Sequence, residues 1–123
     1  MTTERLLTNY LDSMGITHNL TGYHYIRDAV RLLLESDGLP SMTKVLYPAV
    51  AKKRGTTPPR VERGIRHAIE RTFYRMDARD VETMFGNQMD AGKGKMTNSQ
   101  FLALLADRVR LRLAEDDFAE AGM

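Results

Sequence analysis

Nine cations fall between residues 44 and 75: Lys44, Lys52, Lys53, Arg54, Arg60, Arg63, Arg66, Arg71 and Arg75. Only Glu62 and Glu70 oppose them, so this stretch carries +7. The 123-residue chain as a whole carries a formal +2, which leaves −5 for the remainder. Charge segregated in this way forms a face for a polyanion. A basic run by itself is more often a solvated helix face. Its spacing is what sets this one apart. On an ideal helical wheel Val61, Ile65, Ala68, Ile69 and Thr72 lie within about 100° of one another, as a buried stripe does. Arg63, Arg66, His67 and Glu70 occupy the opposite side, flanked by Arg60, Arg71 and Tyr74. Such a helix presses its apolar stripe on a scaffold and points arginines into a major groove. The planar fork of arginine pairs with two acceptors on guanine, and glutamate accepts from cytosine N4. Glutamate also repels phosphate, so Glu62 among arginines favours base reading over charge neutralisation. The base-reading candidates are Arg60, Glu62, Arg63, Arg66 and His67. Lys44, Lys52, Lys53, Thr57 and Arg71 are candidates for the DNA backbone.

These residues need elements to hold them. Ala51 is small where two helices must approach, and Gly55 follows four residues later, able to take the left-handed turn. The span 50–69 therefore has the logic of a helix-turn-helix. Thr57 is a plausible N-cap for the basic helix, expected over 59–75. Upstream, Leu6, Leu7, Tyr10, Leu11 and Met14 are helically spaced and Gly15 stops them. Tyr23, Ile26, Ala29, Val30 and Leu33 repeat the period. A further segment spans about 43–54, with a break near Tyr47, because Pro48 fits only the first turn of a helix. A short helix is expected at 77–85 and a glycine- and lysine-bearing loop at 86–96. Thr97 and Gln100 form a capping box for a last helix carrying Phe101, Leu104, Leu105 and Val109. Residues 1–114 read as one domain, and the acidic tail 115–123 is expected to fray. No strand alternation or fixed-period repeat occurs. The fold class is all-α, a compact bundle of about six helices containing a helix-turn-helix.

Composition narrows the function further. The absence of cysteine excludes disulfides, thiol catalysis and Cys-ligated metals. His18, His24 and His67 are too scattered for a metal site, and His18 and His24 read as loop or surface residues. The loop Gly92-Lys-Gly-Lys95 lacks the Ser or Thr that a phosphate loop places after Gly-Lys, and no strand precedes it. No enzyme activity, cofactor or metal is expected. Nor is a membrane span or secretory signal, since apolar runs stop within a few residues. A cytoplasmic setting is expected.

The chain resembles the C-terminal effector domain of the stage-zero sporulation response regulator A family, master transcription factors of endospore-forming bacteria. The resemblance covers roughly Leu11 to Leu113. Its strongest blocks are Thr43-Lys-Val-Leu-Tyr-Pro48, Ala51-Lys-Lys53, Arg60-Val-Glu-Arg63, Ile65-Arg-His-Ala-Ile-Glu70 and Thr97-Asn-Ser99. It implies a six-helix DNA-binding domain that recognises a short promoter box with a TCG core and contacts RNA polymerase sigma factor. It places Arg60, Glu62, Arg63, Arg66 and His67 toward the major groove. It puts Lys93, Lys95, Asn98 and Ser99 near the DNA backbone, and a sigma-factor surface at Arg79, Asp80 and Glu82. The chain departs from the family at Pro58-Pro59, at Ala49 where an acidic residue is usual, at Met96 where proline is usual, and at Gly64 where alanine is usual. Glycine there costs a helix about 0.5–1 kcal/mol. No strand-like receiver segment is present, so the sequence reads as an effector fragment or a receiver-less gene. A monomer in solution that pairs on adjacent DNA boxes is expected, because one helix-turn-helix covers little duplex and no long heptad seam exists. The competing reading is a receiver-less paralogue acting as a protein-interaction module without specific DNA binding.

Overall fold

A computed structural model describes residues 2–75, 79, 83 and 96–121. Among them are five α-helices and no strand: α1 (Thr3–Ser13), α2 (Thr21–Glu35), α3 (Tyr47–Arg54), α4 (Pro58–Arg75) and α5 (Asn98–Ala121). The all-α expectation holds, with five helices where about six were expected. The short helix expected at 77–85 lies outside the described residues, apart from Arg79 and Thr83, as does the loop up to residue 95.

Each boundary has a local cause. The Thr2 hydroxyl accepts from the Arg5 amide at 3.1 Å and caps α1, and Gly15 ends the turn after it at φ 76°. A single π turn, Met42–Leu46, precedes α3. Its Leu46 amide donates to the Ser41 carbonyl at 3.0 Å, and the Tyr47 amide reaches Met42. The expected break at Tyr47 is thus a change of helical register. Pro48 sits in the first turn of α3, where its missing amide proton is not needed. Gly55 closes α3 at φ 64°, ψ 40°, and the Thr56 amide donates back to the Ala51 carbonyl at 2.9 Å. At the start of α5 the Thr97 amide donates to Gln100 Oε1 at 3.0 Å, and the Gln100 amide donates to the Thr97 hydroxyl at 3.1 Å. The capping box is formed as expected.

α2 is the hub of the bundle. It packs against α4 on one side and α5 on another. The core draws Leu7 and Leu11 from α1, Ile26 and Val30 from α2, Val50 from α3, Val61 and Ile65 from α4, and Phe101 and Leu102 from α5. Ion pairs tie the helices at the rim: Glu4 of α1 bonds both Arg27 and Arg31 of α2. His18 and His24 lie against Tyr23, with His18 stacked on its ring at 4.5 Å.

α5 extends to Ala121, into the residues expected to form the acidic tail. Alanine and glutamate are strong helix formers, and Arg112 and Asp116 pair at 3.7 Å across one turn. Acidity alone gave no reason for the helix to stop.

Candidate nucleic-acid interface

The buried stripe of α4 is the one its spacing predicts. Val61, Ile65, Ala68, Ile69 and Thr72 are all buried. The Thr72 hydroxyl is satisfied by donating to the Ala68 carbonyl at 3.0 Å. Arg60, Arg63, Arg66, His67, Glu70 and Arg71 are exposed, and Glu62 is half-buried beside them. All five residues expected to read bases are therefore brought onto one side of one helix. They are not independent, because the Arg66 guanidinium donates to the Glu62 carboxylate one turn earlier. In the free protein the anion holds the cation's fork.

The supporting helix α3 meets α4 through the Gly55 turn. Lys52 and Lys53 are exposed on α3, Lys44 is exposed in the π turn, and Thr57 is exposed just before α4. The Thr57 carbonyl accepts from the Arg60 and Val61 amides, each at 3.1 Å, and so starts the helix. Lys53 lies 3.5 Å from the Asp28 carboxylate of α2. Ser99 is half-buried at the start of α5 and Arg79 is exposed. Lys93, Lys95, Asp80 and Glu82 lie outside the described residues.

Two positioning devices escaped the sequence reading. The first is Asp28, 2% exposed. Both its oxygens accept from Arg54, one of them at 2.9 Å, in a two-pronged clasp. Burial pushes the Asp28 carboxyl up, but the bonds and charges of Arg54 and Lys53 outweigh it and hold the group below its ordinary value. The hydrogen bond to Asp28 in turn raises Arg54. The clasp fixes the end of α3 to α2. No local pattern marks Asp28, whose wheel neighbours Thr21, Tyr25 and Leu32 are mixed in character.

The second device is Asn98. Its side-chain amide donates to the Tyr47 hydroxyl at 3.1 Å and to the Glu62 carbonyl at 3.0 Å. Those two bonds use both donor hydrogens. Asn98 thereby joins α5 to α3 and α4.

Two grooves flank the exposed side of α4. One, about 500 Å³, lies toward α2 and is lined by Thr21, Thr56, Arg60, Arg63 and His67. The other, about 480 Å³, lies toward α5 and is lined by Glu62, Arg66, Glu70, Met96 and Asn98. Among the described residues no cluster of three or more His, Asp or Glu residues suits a metal ion. None of the described helices is long and apolar enough to cross a membrane.

Residues 7–109 match the family model described as Sporulation initiation factor Spo0A C terminal. The chain belongs to this family. The Spo0A C-terminal family is one of DNA-binding transcription-factor domains and not of enzymes, which agrees with an exposed cationic helix. Glycine at position 64 has a packing reason. A Cβ at Gly64 would lie 2.8 Å from the Tyr25 ring, and a Cβ at Gly22 would lie 2.4 Å from the Gly64 carbonyl oxygen. The helix gives up propensity at Gly64 so that α2 can approach it.

Proposed function

We propose that this domain regulates transcription at the initiation of sporulation by reading a short box in double-stranded promoter DNA. The reading rests on one observation above all. α4 buries its whole apolar stripe and leaves Arg60, Arg63, Arg66 and His67 exposed together. α4 enters the major groove, where Arg63 and Arg66 read base edges and Glu62 orients Arg66 while offering an acceptor to cytosine. Arg60 and His67 border that contact. Lys44, Lys52, Lys53, Thr57, Arg71, Lys93, Lys95 and Ser99 hold phosphates, which fix register without reading sequence. Asn98 acts through Glu62 and Tyr47 as a brace. The domain is a cytoplasmic monomer that pairs on adjacent boxes, and Arg79, Asp80 and Glu82 face RNA polymerase sigma factor.

The test is a titration of the purified domain with a box-containing duplex and a scrambled duplex at two salt concentrations. Specific reading requires a large affinity ratio between them, and phosphate contacts require a steep fall of both affinities with salt. Equal affinities for the two duplexes would refute base reading. The absence of binding even at low salt would refute DNA binding altogether.

A further inference from the structure

The two grooves beside α4 are nearly equal in size and, among the described residues, differ in charge. The α5-side groove sets Glu62 and Glu70 against Arg66. Among the described residues the α2-side groove has no carboxylate in its lining; Arg60, Arg63 and His67 share it with Asn19, Thr21 and Thr56. Gly22 and Gly64 both lie in its lining. At Gly22 an added Cβ would lie 2.4 Å from the Gly64 carbonyl oxygen and 2.8 Å from the Ala68 Cβ, so no side chain could fill the space. The result is a cleft with two fixed cations on one wall and neutral hydroxyl and amide groups on the other.

A helix lying in a major groove about 12 Å wide has a sugar–phosphate strand along each flank. Among the described residues the two strands would therefore meet unlike surfaces: one a cleft with arginines and no carboxylate, the other a groove with Glu62 and Glu70 against Arg66. Phosphate oxygens accept from arginine, serine, threonine and asparagine alike. We propose that the α2–α4 groove seats a backbone phosphate of one DNA strand, with the hydroxyls of Thr21 and Thr56 adding to the charge of Arg60. This places the start of α2, outside the helix-turn-helix, in the DNA interface. The proposal rests on the DNA-reading function above and adds a contact to it.

Thr21 offers a test in which folding and binding respond in opposite directions. It is exposed in the first turn of α2, which has no acidic residue. A carboxylate there favours the helix dipole, so Thr21→Glu keeps or raises the melting temperature. In the groove the same charge repels phosphate. Thr21→Glu should weaken binding to box and scrambled duplexes alike, by roughly tenfold at low salt. Thr21→Lys should tighten both and steepen the salt slope by about one unit. Duplexes carrying one neutral methylphosphonate at a time locate the contact: at one position on one strand, wild type and Thr21→Glu should bind equally. If wild type binds the box while both variants keep its affinity and salt slope, the groove holds no phosphate and DNA reading stands. A loss confined to the box, or no position that equalises the two proteins, also overturns the phosphate seat. If wild type binds neither duplex, the underlying function fails instead.

Discussion

Gly64→Ala sets two sizeable effects against each other. Alanine is better than glycine inside a helix by about 0.5–1 kcal/mol, and Gly64 lies well within α4. On propensity alone the substitution stabilises. The new Cβ, however, would stand 2.8 and 2.9 Å from two carbons of the Tyr25 ring, where carbon atoms prefer about 3.5–4.0 Å. The ring must retreat by up to about 1 Å, and overpacking of that kind costs about 1–3 kcal/mol. The clash wins, leaving a net loss of about 1 kcal/mol, or roughly 3–5 °C in Tm for a domain of this size. Thermal and urea unfolding of wild type, Gly64→Ala, Tyr25→Ala and the double variant separates the two effects. In the Tyr25→Ala background the obstruction is gone, and Gly64→Ala should stabilise by about 0.5–1 kcal/mol. The coupling between the sites should therefore be about 1–2 kcal/mol. Equal stabilisation by Gly64→Ala in both backgrounds would refute the argument, because it would mean the Tyr25 ring moves aside at no cost.

Arg54→Ala should cost about 2–3 kcal/mol, below the usual range for a broken buried pair because Lys53 stays beside Asp28. Asp28 is held below its ordinary value, so its share of stability is present above about pH 4 and lost as pH falls through the folded value; in Arg54→Ala burial prevails and acid unfolding should begin at higher pH. Asn98→Ala removes two neutral hydrogen bonds and should cost about 1–2 kcal/mol in urea unfolding, with box affinity reduced more than scrambled-duplex affinity. Arg66→Ala should lose about 1–3 kcal/mol on the box and much less on scrambled DNA, while Glu62→Ala should tighten scrambled DNA and narrow the margin between the two duplexes. Equal tightening on both would make Glu62 only a surface carboxylate. Removing residues 115–123 takes away residues that, where described, are exposed apart from the half-buried Asp116, and should change stability by no more than about 0.5 kcal/mol, with a fall in the helical circular dichroism signal.

What was legible in the sequence was what is local in the chain. The stripe from Val61 to Thr72, the Gly55 turn, the placement of Pro48 and the pairing of Thr97 with Gln100 each depend on residues within a turn or two. The devices that escaped join distant segments. Asn98 reaches partners 51 and 36 residues away, and Asp28 meets Arg54 across 26. The resemblance placed Asn98 near the DNA backbone, and nothing local singled out Asp28. Gly64 was legible as a departure and as a cost in propensity. Its reason was not, because that reason is the ring of Tyr25 on another helix. The α2-side groove was hidden for the same cause: half its wall comes from a helix whose own pattern is that of ordinary core.

The approach of α2 to α4 at Gly22 and Gly64 also has a mechanical consequence. Where two helices touch through side chains, rotamer changes absorb small displacements and one helix can roll on the other. Here backbone meets backbone, with no rotamer between them. At that contact α4 has little room to shift against α2, and in the proposed function it would not tilt there to suit an imperfect box. In the proposed complex the compliance must come from the duplex, which bends or twists at a cost that depends on its sequence. Base steps that no side chain touches would then contribute to recognition, because the protein declines to deform on their behalf.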